Sequence, residues 1–168
     1  MESSIDLLTK AISFAARAHQ GQFRKDNETP YVSHVFRVCF ILRQVFGVED
    51  SIMLAAAVLH DTIEDTTTDY DDLEKHFGAK VADLVAVLSK DKRQRDDKRE
   101  EAYRHQLFKA SDEAKIIKLA DLYDNLLDSS SEMRPKTAKK AGTHLKNLKK
   151  SASSRVKKAI KVVEKLVG

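Results

Sequence analysis

The sequence has little of what extracellular or loop-rich proteins use. Its 168 residues include one cysteine, two prolines, five glycines and no tryptophan. A single cysteine excludes an internal disulfide, and so few turn-forming residues argue against an all-β fold with many tight turns. No stretch approaches the roughly 18 apolar residues that a membrane-spanning helix needs, and the first residues show no secretory signal pattern. We therefore predict a helical, cytoplasmic protein that does not enter a membrane.

Positive charge is concentrated at the C-terminal end of the chain. The net charge of the whole sequence is +4, whereas residues 139–168 hold nine lysines and one arginine against one glutamate. Apolar residues recur there at three- and four-residue spacing, which predicts one amphipathic helix with its lysines in solvent. No aromatic residues interleave with the basic ones, and this argues against nucleic-acid binding.

Helical periodicity extends over most of the chain, and no alternating strand pattern competes with it. We predict an all-α fold, a single domain over residues 1–168 with about eight helices. Residues 129–168 form a divergent C-terminal part, a serine-containing linker followed by the basic helix. The densely charged segment 90–104 is predicted to be a loop that leads into a helix.

The densest group of chemically active side chains lies directly after an apolar helix. His60 and Asp61 follow the run Leu54–Leu59, and Glu64 and Asp65 come one helical turn later. Adjacent histidine and aspartate side chains reach one metal ion only where the backbone permits it, as at the end of a buried helix. A lone His-Asp pair is common by chance, but four such groups within six residues are not.

Two further positions complete the pattern. His34 begins an apolar helix after the segment 30–33, and Asp121 interrupts an apolar helical stripe. A carboxylate in such a stripe is costly unless it is paired or bound to a cation. Asn125 follows Asp121 by one helical turn, so both side chains are predicted to face one cavity.

The order His34, His60-Asp61, Asp121 resembles the signature of the HD metallohydrolase superfamily. The chain is similar to the hydrolase domain of the Rel/Spo stringent-response enzymes, and within that group to the stand-alone small alarmone hydrolases. The segments that carry the similarity are 18–25 (AHQGQFRK), 30–34 (PYVSH), 56–66 (AAVLHDTIEDT), 77–85 and 115–121 (KIIKLAD), with Asn125 beyond them. They extend over about three-quarters of the chain.

The resemblance implies a set of site residues. A Mn²⁺ ion would be held by His34, His60, Asp61 and Asp121. Glu64 or Asp65 would position or deprotonate the attacking water, and the sequence does not choose between them. Arg24, Lys25 and Asn125 would contact the nucleotide.

The function that the resemblance implies is hydrolysis of the 3′-diphosphate of a purine nucleotide alarmone. The substrate would be (p)ppGpp or its adenosine analogue (p)ppApp, and the products a 5′-nucleotide and pyrophosphate. Alternatives are another HD phosphohydrolase, acting on a phosphorylated cofactor such as NADPH, and a catalytically silent nucleotide-binding module. The sequence leaves homo-oligomerisation open.

The chain also departs from the family pattern. Leu122 replaces the usual basic residue after Asp121, and Asp124 lies beside Asn125, which we expect to alter the rim of the pocket. The aromatic-rich helix of the animal relatives is missing. His76, His105 and His144 have no partner pattern and are predicted to be surface residues.

Overall fold

The computed structural model describes residues 3–167, and these form ten helices joined by short loops. The helices are α1 (Ser4–Ala18), α2 (Val32–Gln44), α3 (Ser51–Leu59), α4 (Thr62–Asp65), α5 (Tyr70–Phe77), α6 (Ala79–Leu88), α7 (Asp96–Lys109), α8 (Asp112–Leu127), α9 (Arg134–Lys149) and α10 (Ser154–Val167). Within this range there is no strand, only an isolated bridge between Phe23 and Pro30. The predicted all-α class is confirmed. No helix in the described range is both long and apolar enough to cross a membrane.

Two helices more than the predicted eight are present, and each has a local cause. The first is α4, a single turn directly after His60 and Asp61. The second arises because the predicted C-terminal basic helix is two helices, broken at residues 150–153. The hydroxyl of Ser153 accepts the backbone N–H of Val156 and so caps α10. Buried Lys115 donates to the carbonyl of Ser151 in the same turn.

Several helix starts follow directly from the sequence. The side chain of Asp50 accepts the backbone N–H of Met53 at the start of α3, and Ser111 caps α8 in the same way. Such caps satisfy backbone donors that a helix leaves unpaired at its first turn. The charged segment 90–104 is a loop up to Arg95 and then α7, as predicted.

The centre of the fold is α3, which is apolar on all sides. Every residue from Met53 to Leu59 is buried, because α1, α2, α6 and α8 pack around this helix. Three consecutive alanines, 55–57, leave room for these neighbours. A helix that is apolar all round belongs in a protein interior. Its C-terminal end therefore delivers His60 and Asp61 to the inside of the molecule.

Candidate active site

Three separate parts of the fold bring four potential metal ligands together. His34 comes from the first turn of α2, His60 and Asp61 from the junction of α3 and α4, and Asp121 from the middle of α8. His34 Nε2 lies 3.5 Å from Asp61 Oδ2 and 3.3 Å from Asp121 Oδ1. His60 Nε2 lies 3.0 Å from Asp61 Oδ2 and 3.9 Å from Asp121 Oδ1. One ligand atom each of His34, His60 and Asp121 lies within 4.8 Å of the other two, the spacing expected around one cation. Asp61 lies beside both imidazoles.

Both imidazoles are held in the orientation that metal binding requires. Nδ1 of His34 lies 2.6 Å from Asp124 Oδ2, and Nδ1 of His60 lies 2.8 Å from the carbonyl oxygen of Ala57. Because these oxygens accept a hydrogen bond from Nδ1–H, the proton stays on Nδ1 and each Nε2 can offer a lone pair to a cation. His60 Nε2 is buried and has no hydrogen-bond partner within residues 3–167. An unpartnered buried nitrogen among carboxylates fits a bound divalent ion.

Electrostatics keep the two carboxylates charged. Burial raises the pKa of Asp121, but Lys118 and the two imidazoles outweigh burial and hold that pKa well below its usual range. Burial also raises the pKa of Asp61, but His60 and His34 outweigh burial and hold that pKa well below its usual range. Tyr31 adds a hydrogen bond, since its hydroxyl donates to Asp61 Oδ2 at 2.6 Å. Burial lowers the pKa of both imidazoles, but the nearby carboxylates outweigh burial and raise it. Ionised carboxylates, and imidazoles that release a proton on binding, suit borderline divalent cations such as Mn²⁺ or Zn²⁺.

The two acids of the short helix α4 have different surroundings. Glu64 is half-buried, and its Oε2 accepts the backbone N–H of Lys90 at 3.0 Å. Burial raises the pKa of Glu64. Asp65 forms an ion pair with Lys92 through Oδ1 and accepts the Tyr31 hydroxyl at 3.3 Å through Oδ2. Lys92 thus holds Oδ1 of Asp65, and Oδ2 shares the single Tyr31 hydroxyl proton with Asp61, the closer acceptor. The Glu64 carboxylate accepts a backbone N–H through Oε2.

The two basic residues expected at the nucleotide have different positions. Arg24 lines the cleft; its guanidinium donates to Asp128 Oδ2 at 2.9 and 3.0 Å and to Asn125 Oδ1 at 3.2 Å. The guanidinium carbon also lies 5.6 Å from the centre of the Tyr31 ring. Lys25 is exposed and does not line the cleft. Of the pair, only Arg24 faces the site.

Asn125 connects the arginine to the metal site. Its amide nitrogen donates to the side chain and backbone oxygen of Asp121, while its amide oxygen accepts from Arg24. Asn125 and Asp121 therefore line one cleft, as their spacing predicts, and contact of Asn125 with a nucleotide stays a prediction.

Two further residues support the site from behind: Asp124, which was expected at the rim, and Arg37, which sequence reasoning did not single out. Arg37 donates to Asp124 Oδ1 at 2.6 Å and is paired with Asp128 at 3.0 Å. Asp124 is buried rather than at the rim, because it lies behind His34. Positions 121, 124, 125 and 128 are spaced by three and four residues, so they share one face of α8. This spacing was the one feature of the sequence from which the position of Asp124 beside the site could have been predicted.

The cleft is also lined by residues that sequence reasoning missed. Lys90, Tyr103, Lys118 and Lys140 line it. The prediction for His144 was wrong: this residue is buried, with its ring 6.0 Å from that of Tyr103. His76 and His105 are exposed, as predicted. The cleft has a volume of about 150 Å³.

Comparison with known proteins agrees with this geometry. Residues 11–148 match the profile of the HD domain. The chain belongs to the HD domain family. Over 129 residues this HD domain is 44% identical to human guanosine-3′,5′-bis(diphosphate) 3′-pyrophosphohydrolase MESH1, covering 76% of the present chain and 72% of the human protein. It is 39% identical over 140 residues to the bifunctional (p)ppGpp synthase/hydrolase SpoT of Escherichia coli, covering 80% of the chain and 19% of SpoT.

A solved structure extends the comparison to nearly the whole chain. The HD domain superimposes with a TM-score of 0.82 and 33% identity on a metazoan orthologue of SpoT described as hydrolysing ppGpp. The match covers 96% of both chains. The resemblance to the Rel/Spo hydrolase domain is thereby confirmed.

Proposed function

We propose that this HD domain hydrolyses the 3′-diphosphate of a purine nucleotide alarmone, (p)ppGpp or (p)ppApp, to a 5′-nucleotide and pyrophosphate. The observation that carries the proposal is the convergence of His34, His60, Asp61 and Asp121 next to Glu64. The names of the human and bacterial relatives describe the same chemistry for those proteins. The cytoplasmic location expected from the sequence fits such a substrate.

A divalent cation, for which we propose Mn²⁺, fits these four side chains. When bound, such an ion acidifies a water and neutralises charge on the phosphoryl group under attack. His34 and His60 would bind it through Nε2, and Asp61 and Asp121 through carboxylate oxygens. Two nitrogen and two oxygen donors leave coordination positions for water and phosphate.

Glu64 is the better candidate for the general base. Its carboxylate can take a proton from the attacking water, and its raised pKa improves the match to physiological pH. The water oxygen bonds to the phosphorus attached at the 3′ position, the bond from that phosphorus to O3′ breaks, and O3′ leaves with a proton. Asp65, held by Lys92 and Tyr31, would position the water rather than accept its proton.

Arg24 and Asn125 would hold the nucleoside side of the substrate. Arg24 donates to Asp128 and to the amide oxygen of Asn125, so a substrate phosphate or base would take up guanidinium donors that now contact these two side chains. A guanidinium can form two parallel bonds to phosphate or stack on a purine. Lys25, exposed beside Arg24, would add only long-range charge.

The deciding experiment is incubation of the Mn²⁺-loaded protein with guanosine and adenosine 3′-diphosphate nucleotides, with products resolved by anion-exchange chromatography. We expect pyrophosphate from at least one purine series. Orthophosphate released from NADPH, with no pyrophosphate from either alarmone series, would favour the cofactor phosphatase instead. No turnover of any of these with metal bound would favour a binding module. Reloading the apoprotein with Mn²⁺, Mg²⁺ or Zn²⁺ tests the choice of metal.

A further inference from the structure

Three lysines from three different elements line the cleft that contains the candidate metal ligands. Lys90 lies in the loop after α6, Lys118 in α8, and Lys140 in α9; all three line the cleft. Tyr103 separates the first two, whose ammonium nitrogens lie 5.2 and 5.4 Å from the centre of its ring. We call these residues the lysine wall. The mechanism described above uses none of their side chains.

Anionic side chains balance this charge only in part. Lys90 pairs with Glu100 at 2.6 Å, and Lys118 pairs with Asp121 at 2.7 Å. Asp121 also faces both imidazoles of the metal site, so its charge is shared. Lys140 has no hydrogen-bonded or ion-paired partner among residues 3–167.

The surroundings of Lys140 are those of a crowded cation. Burial lowers the pKa of Lys140, and Lys90 and Lys118 lower it further. His144, one helical turn away, has a pKa lowered to about 3 by burial and by the same three lysines. A neutral histidine adds no charge of its own. Lys140 is therefore the member of the lysine wall whose charge no ion pair within residues 3–167 neutralises.

The position of the lysine wall relative to the reacting groups indicates which anion it binds. Lys118 contacts the candidate ligand Asp121, and the backbone N–H of Lys90 holds Glu64. The lysine wall thus adjoins both the metal site and the base, whereas Arg24 is hydrogen-bonded to Asn125 and Asp128. A substrate whose 3′ phosphorus lies at the metal site can therefore extend its terminal phosphate to the lysine wall and its nucleoside to Arg24.

We propose that Lys90, Lys118 and Lys140 form the subsite that holds the 3′-diphosphate of the substrate and, after hydrolysis, the pyrophosphate product. This inference rests on the proposed function. Lysine ammonium groups are compact charges with three donors each, suited to several non-bridging phosphate oxygens at once. Charge that builds up on these oxygens as the bond from phosphorus to O3′ breaks is neutralised by pre-positioned cations. The same contacts retain pyrophosphate, which makes it a product inhibitor.

Lys140 is the residue to change, because it contacts no candidate metal ligand and is exposed. Isothermal titration of the Mn²⁺-loaded protein with methylenediphosphonate, a diphosphate that cannot be hydrolysed, measures the subsite without turnover. We expect Lys140→Ala to weaken binding by about tenfold or more, since a charged hydrogen bond contributes about 1.5–3 kcal/mol. Lys140→Arg should retain most of the affinity. The matched control is Lys139→Ala, an exposed neighbour that does not line the cleft, and it should bind like the wild type.

Affinity of Lys140→Ala within twofold of the wild type would overturn the subsite. A second measurement separates the 3′ from the 5′ phosphates: the KM for guanosine 3′-diphosphate, which has no 5′ phosphate, should rise in Lys140→Ala as much as the KM for ppGpp. If the defect appears only with ppGpp, the lysine wall binds 5′ phosphates and the proposal is wrong. If the wild type hydrolyses the alarmone and Lys140→Ala binds methylenediphosphonate as tightly as the wild type, the subsite alone is refuted. If Lys140→Ala binds it more weakly but the wild type hydrolyses no alarmone, the proposed function alone is refuted.

Discussion

Nδ1 of His34 lies 2.6 Å from Oδ2 of Asp124, and both side chains are buried. Arg37 donates to both oxygens of Asp124, at 2.6 and 3.0 Å, and so holds the carboxylate in place. Arg37 and Arg24 both pair with Asp128. A continuous chain of ion pairs therefore leads from a candidate metal ligand to the arginine at the substrate side.

Asp124→Asn should weaken metal binding by about 10–100-fold, the usual effect of removing the partner of a metal-bound histidine. An asparagine amide can donate to Nδ1 of His34, and the tautomer that results carries its proton on Nε2 instead. Competition with a chromogenic chelator measures the affinity. Asp112→Asn, an acid in the first turn of α8 away from the cleft, is the control. Equal metal affinity in wild type and Asp124→Asn would show that Asp124 does not orient His34.

Bound metal should stabilise the fold, because the ligands come from α2, α8 and the junction of α3 and α4. At a free Mn²⁺ concentration 100 times its dissociation constant, the stabilisation is about 2.7 kcal/mol. For a chain of this length that corresponds to a Tm increase of about 5–10 °C. We expect His60→Ala to abolish both this increase and turnover, while exposed His76→Ala retains both. A Mn²⁺-dependent increase that survives in His60→Ala would remove His60 from the ligand set.

Replacing Arg24 by alanine should change the KM for the alarmone more than replacing the adjacent Lys25. Arg24→Ala removes a guanidinium that faces the cleft, so KM should rise about tenfold or more with a small change in kcat. Lys25→Ala removes an exposed charge outside the cleft and should change KM by less than about threefold, as expected of a screened surface charge. Steady-state kinetics on one alarmone at fixed ionic strength measures both. Equal effects of the two variants would contradict the assignment of the nucleotide contact to Arg24 alone.

The candidate ligands could be named from the sequence because polar residues in apolar helices are conspicuous. His34 and Asp121 each interrupt an apolar run, and His60-Asp61 ends one. Asp124 could not be distinguished from a surface acid, since its burial depends on how α8 packs on α2. The difference between Arg24 and Lys25 is also tertiary: the backbone N–H of Arg24 donates to Thr29 at 2.8 Å, and this loop geometry directs one side chain inward.

The lysine wall and His144 were missed for a related reason. Lys90, Lys118 and Lys140 are up to 50 residues apart in the sequence, as their numbers give directly. Which face of α9 meets α7 and α8 depends on the break at residues 150–153, where one helix had been predicted. Periodicity finds the apolar face of a helix but does not report which polar residues of distant helices come together.

Replacing Glu64 by its amide should lower kcat more than replacing Asp65 by its amide. Glu64→Gln should lower kcat by about 10²–10⁴, the contribution typical of a general base, and leave metal affinity unchanged. Asp65→Asn should lower kcat less, because Lys92 already holds Oδ1 of Asp65 in an ion pair. Single-turnover kinetics with metal-saturated protein separates chemistry from binding. A larger loss in Asp65→Asn than in Glu64→Gln would exchange the two roles.

Buried His144 should make the stability of the protein depend on pH. Burial and the nearby lysines lower its pKa to about 3, whereas an unfolded histidine titrates near 6.5. Between these values the unfolded chain binds more protons than the folded one, so stability is complete above about pH 6.5 and falls as the pH falls. Between pH 7.5 and pH 5.5 the titration of His144 alone should lower the free energy of unfolding by about 1 kcal/mol.

Urea unfolding of the metal-free protein at pH 7.5, 6.5 and 5.5 measures that decrease. His144→Gln has no titrating group at this position, so its free energy of unfolding should fall less over the interval than that of the wild type, by about 1 kcal/mol. His105→Gln, at an exposed position of α7, should follow the wild type. Other groups titrate alike in all three proteins and cancel in the comparison. Parallel curves for wild type and His144→Gln would mean that His144 is not kept neutral by the lysines around it.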